Sequence, residues 1–65
     1  MKGIFYDRAT RRLHTVNGMP DPDWTLISHN LEATFNQCRR VLRELLSMEE
    51  LAHVDWSALH QDRAA

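Results

Sequence analysis

Four histidines, one cysteine and two groups of three arginines are the side chains with chemistry to offer in this chain. His53 and His60 are seven residues apart and share a face if the helix between them is continuous, and Glu49 stands four before His53. Zinc sites use tighter pairs, and Asp55 opens a new helical cap between the two histidines, which breaks the shared face. His14 and His29 have no neighbour at a ligand spacing. The chain has no His-Glu-x-x-His, Cys-x-x-Cys or EF-hand loop, so we expect neither a metal nor a cofactor.

Covalent catalysis finds no better footing. No histidine stands at a helix-compatible distance from Cys38, and Ser28 and His29 are adjacent, so their side chains diverge. Asp7, Asp21, Asp23 and Glu32 are not brought into a pair by their spacing. Only Gly3 and Gly18 are present, too few for a phosphate-cradling loop. We therefore expect no catalytic residue and no enzyme.

The arginines are a stronger signal. Arg39, Arg40 and Arg43 fall on the polar side of a helical pattern, with Arg39 and Arg43 four apart and Glu44 placed to pair with Arg40. Arg8, Arg11 and Arg12 crown a turn near the N-terminus. Guanidinium groups bind carboxylates and phosphates bidentately, so either cluster suits an anionic partner. Trp24 and Trp56 each follow an aspartate at the start of a segment and are candidate anchors, since Trp, Tyr and Arg dominate interface energetics.

Charge is distributed unevenly around a net of −1. Residues 1–20 balance to +3 and residues 44–65 to −4, a polarity able to orient the C-terminal segment against the N-terminal one. The near-zero total argues against a general nucleic-acid binder.

The elements that must carry these groups are legible in outline. Residues 3–7 and 12–16 read as two strands of a hairpin occupying about 3–16. Asp7 and Thr10 supply turn chemistry, and Arg11 sits where a left-handed residue is needed, a position natural for Gly. Residues 17–23, with two prolines, form a connector.

From Trp24 to Met48 apolar residues recur every seven positions, in one row of Trp24, Leu31, Cys38 and Leu45 and another of Ile27, Thr34, Val41 and Met48. Phe35 and Leu42 widen this stripe. A long amphipathic helix ending at Leu46 follows, starting either at Trp24 or near Asn30, the latter leaving Thr25–Ile27 as a third strand. Ser47 and Glu50 form a capping-box pattern that opens a short helical tail over 48–60.

We thus expect one α+β domain over 1–65: a hairpin, or three strands, packed on one long helix with a short C-terminal helix. A 65-residue chain with one cysteine has no internal disulfide to stabilise it. That favours a homodimer with Leu31, Thr34, Phe35, Cys38, Val41, Leu42 and Leu45 at its core. Alternatively, the broken second helix folds back over the stripe. No signal peptide or membrane span is read, and the setting expected is cytoplasmic. The function expected is a non-catalytic protein-binding, adaptor or regulatory role, including inhibitor-type occlusion of a larger partner. The alternative is a small nucleic-acid-associated regulator, antitoxin-like or transcription-associated.

Overall fold

The computed structural model describes residues 1–59. Three antiparallel strands, β1 (Lys2–Asp7), β2 (Arg12–Asn17) and β3 (Thr25–Ser28), precede two helices, α1 (Phe35–Leu45) and α2 (Met48–Leu51). The spatial order is β2-β1-β3, so the first strand is central. In the hairpin Phe5 faces His14 and Tyr6 faces Leu13 across the ladder, and Gly18 N–H extends it by donating to the Met1 carbonyl at 2.8 Å.

The hairpin turn is held by Asp7. Its carboxylate accepts from Ala9 N–H at 3.1 Å and from the Thr10 hydroxyl at 2.8 Å. Arg11 takes φ 60°, the left-handed conformation expected there. Gly3 is needed for a different reason. A Cβ at that position would overlap the Ser28 carbonyl oxygen, so only glycine lets β3 approach β1 this closely.

The helix is shorter than the sevenfold repeat implies, which corrects the expected start at Trp24 or Asn30. Thr25–Ser28 pairs with β1, with a bulge opposite Ile4 and Phe5, and the chain then loops through Asn30 to Thr34. Asn30 closes a turn by accepting from Glu32 N–H on its side chain and from Ala33 N–H on its carbonyl. Thr34 is the true N-cap. Its hydroxyl accepts from Gln37 N–H at 3.2 Å, while the Gln37 side chain accepts from Thr34 N–H at 3.0 Å. The upstream repeat was accidental: Ile27 is buried from a strand, and Leu31 from a loop is only half-buried.

One face of the sheet carries the core. Ile4, Tyr6, Leu13 and Ile27 meet Cys38, Leu42 and Leu46 from the first helix, and Leu51, Val54 and Leu59 from the C-terminal return. Ser47 caps α2 by accepting from Glu50 N–H at 3.1 Å. Beyond that helix Asp55 N–H donates to the Arg11 carbonyl at 2.7 Å, and the segment bridges β2 at Arg12 in parallel sense.

This return covers the apolar stripe within one chain, and it rearranges the residues expected at a dimer core. Cys38 and Leu42 are fully buried without a second chain. Thr34 is spent on the cap, and Leu31 precedes the helix. Phe35, Val41 and Leu45 stay exposed, at 36%, 38% and 46%. Of the seven residues expected at a helix-to-helix core, Cys38 and Leu42 are thus buried within the chain, while Phe35, Val41 and Leu45 keep exposed surface.

Candidate arginine and tryptophan interface

At 100° per residue Arg40 sits opposite the Cys38–Leu42 row of α1, and Arg39 and Arg43 lie on its flank, Arg39 half-buried. Asn36, Arg39, Arg40 and Arg43 line one shallow hollow of about 250 Å³. Among the described residues none of the three arginines makes an ion pair, and Arg40 is not joined to Glu44. Arg43 lies in the last turn, where a cation complements the helix dipole.

Arg39 also lines a second hollow. Met48, Leu51, Ala52 and Trp56 complete it, with a volume of about 260 Å³. Trp56 is held half-buried against the core and meets Phe35 edge to face, with ring centroids 4.6 Å apart and planes at 70°. Met48 beside it is 72% exposed. A guanidinium ridge thus adjoins a groove of mixed polar and apolar surface to which the Trp56 side chain contributes.

The other arginine cluster is differently placed. Arg8 lies 3.9 Å from Glu50, and Arg12 lies 3.4 Å from Asp55. Arg8 and Arg11 line a hollow of about 430 Å³ with Ser47, Glu49, Glu50 and His53, so both signs share it. The polarity of the sequence is used here: the acidic C-terminal return lies against the basic hairpin turn. Hydrogen bonds from Ser57 N–H, the Ser57 hydroxyl and Arg12 hold the Asp55 carboxyl below the usual range. Tyr6, buried beneath, has its phenol pushed up by burial and by the Glu50 carboxylate, to which its hydroxyl donates at 3.4 Å.

Trp24 is not part of either surface. It stacks flat on His14, centroids 4.0 Å apart, on the sheet face away from the helices. His14 Nε2 lies 3.2 Å from Asp7 Oδ2, so the stack is tied to the hairpin turn. The hydroxyl of Thr10, then His14 and the Ala9 and Thr10 backbone, hold the Asp7 carboxyl low. Phe5, paired with His14 in the ladder, is itself buried.

Cys38 is a buried free thiol, and burial raises its pKa, so it is a poor nucleophile in the folded chain. Among the described residues no three of the His, Cys, Asp and Glu side chains converge as metal ligands. His60, and with it the His53–His60 pair, lies outside the described residues. No helix among them is long and apolar enough to cross a membrane.

The chain matches no family model, no curated protein and no solved structure. Its own surface is therefore the guide to what it does. Of the residues singled out by type and spacing, Arg39, Arg40, Arg43 and Trp56 come together, whereas Arg8, Arg11, Arg12 and Trp24 lie elsewhere. Phe35 and Met48 were missed as neighbours of that surface, because the sevenfold pattern assigns both to a buried stripe. The Thr34 to Gln37 capping box was the signal that would have shortened the helix and turned Phe35 outward.

Proposed function

We propose that this chain is a small non-catalytic protein-binding module, an adaptor or an occluding regulator, that contacts its partner through Arg39, Arg40, Arg43, Phe35, Met48 and Trp56. The observation that carries this reading is the ridge of unpaired guanidinium groups running into the Trp56 groove. Cations left without ion pairs beside a half-exposed aromatic cost little in a free protein and favour an interface. The nucleic-acid alternative is less well supported. It needs both arginine clusters, and Arg8 and Arg12 already face Glu50 and Asp55.

Self-association remains part of the proposal in reduced form, through the exposed flank of Val41 and Leu45. That flank is small for a stable dimer, so dissociation at micromolar concentration is expected.

Sedimentation equilibrium over a concentration series, with and without mixed-sequence DNA and RNA, tests the reading. We expect no mass shift with nucleic acid at moderate salt. A shift that is lost as salt rises, and with Arg39→Ala/Arg43→Ala, would establish the alternative.

A further inference from the structure

We infer that the partner segment is acidic and extended, with one apolar side chain entering the Trp56 groove beside two carboxylates that engage Arg39 and Arg43. This rests on the protein-binding reading above and names the chemistry of its ligand.

Charge comes first. Among the described residues Arg39, Arg40 and Arg43 make no ion pair, and they share one hollow with the neutral Asn36. No carboxylate lines that hollow, so a bound one would meet guanidinium groups only. Each guanidinium offers a planar fork that matches a carboxylate.

Spacing follows. Residues four apart on a helix stand about 5–6 Å apart at Cβ. Carboxylates on alternate residues of an extended segment lie about 6.5–7 Å apart, close enough for flexible arginine side chains to bridge the difference. Arg39 belongs to both hollows. An acidic group held by Arg39 therefore places the neighbouring part of the ligand over Met48, Leu51, Ala52 and Trp56. About 260 Å³ is room for one aliphatic or aromatic side chain.

A polyphosphate backbone meets the charge requirement of the arginine hollow, and its bases could stack on Trp56, so what counts against it is the field. It seeks a continuous positive track. Of the hairpin cations, Arg8 and Arg11 share their hollow with Glu49 and Glu50.

The experiment is selection of the purified full chain against a display library of random twelve-residue peptides, with Arg39→Glu/Arg43→Glu as the counter-selection. The variant's amide NMR spectrum checks that it remains folded. We expect enriched peptides to carry at least two Asp or Glu residues next to a Leu, Ile, Met, Phe or Trp. The best of them, made synthetically, should shift the Trp56 indole resonance, bind at least about tenfold more weakly to the double variant, and weaken with salt. Replacing its apolar residue by Ser should cost a similar factor.

Enriched peptides that are neutral or basic, yet still shift Trp56, would overturn this inference and leave the protein-binding reading standing. Enrichment that is equal on the double variant overturns it as well. No enrichment on either chain, together with salt-sensitive binding to mixed-sequence DNA or RNA, would overturn both.

Discussion

Asp7 shows how much one side chain of ordinary type organises here. Its two oxygens serve Ala9 N–H, the Thr10 hydroxyl and His14, and so join the hairpin turn to the His14–Trp24 stack. Hydrogen bonds hold the Asp7 and Asp55 carboxyls below the usual carboxylate range. A depressed carboxyl contributes stability that is complete above its unfolded pKa and is lost as pH falls through its folded pKa. Acid unfolding should therefore begin below about pH 4, and Asp7→Asn/Asp55→Asn should flatten the dependence of stability on pH in that window, as followed by circular dichroism. Tyr6 has the opposite sign: its raised pKa means stability is held up to about pH 10 and falls above it. Gly3 is the other residue with no substitute. Gly3→Ala must push β3 off the central strand and should cost about 1–3 kcal/mol in a denaturant titration. Loss of only a few tenths of a kcal/mol would mean that β3 shifts freely.

At the scale of elements, the lesson lies in the stretch from Trp24 to Thr34. Ile27 and Thr34 are seven apart and fit a helical stripe, yet one is a buried strand residue and the other a cap. Short apolar runs are ambiguous between a helix segment and a strand, since four residues do not establish a period. The pairing of Thr25–Ser28 with β1 decided it, because a two-stranded hairpin gains little by itself and a third strand buries Ile27 on the core face. What remained readable was chemistry confined to a few neighbours: the Asp7 turn, the left-handed Arg11 and the Ser47 cap. The Thr34–Gln37 box belongs to that class, and its value is measurable. Thr34→Ala should destabilise the chain by about 1 kcal/mol without changing the amide spectrum of the sheet. Ser28→Ala, at a position that caps no helix, should cost less.

At the scale of the whole molecule, the C-terminal return completes the core within the chain. It adds Leu51, Val54 and Leu59 to the cluster that buries Cys38 and Leu42, and it closes on the hairpin through the Asp55 N–H bond to Arg11. Burial, not charge, is expected to hold it there. Leu51→Ala removes a buried side chain and should cost about 2–5 kcal/mol. Arg12→Ala removes an exposed ion pair and should cost less than about 1 kcal/mol. Thermal unfolding of the two variants side by side checks the ranking, and the reverse order would mean that the charge polarity of the chain holds the return. The same return sets acidic groups beside Arg8 and Arg12 of the hairpin, whereas the arginines of α1 make no ion pair among the described residues.

By itself the sequence determined the α+β class, the hairpin and its turn, the break at Ser47, and the polar placement of Arg39, Arg40 and Arg43. Each is written in contacts between residues a few positions apart, where side-chain chemistry and backbone period act directly. Only the tertiary structure decided that Thr25–Ser28 is a strand, that Cys38 and Leu42 are buried by the chain's own return, and that Trp56 joins the helix arginines while Trp24 stacks on His14. Those outcomes depend on which surfaces compete for the same apolar face. That competition is settled by packing between segments well separated along the chain, for which one sequence carries no local mark.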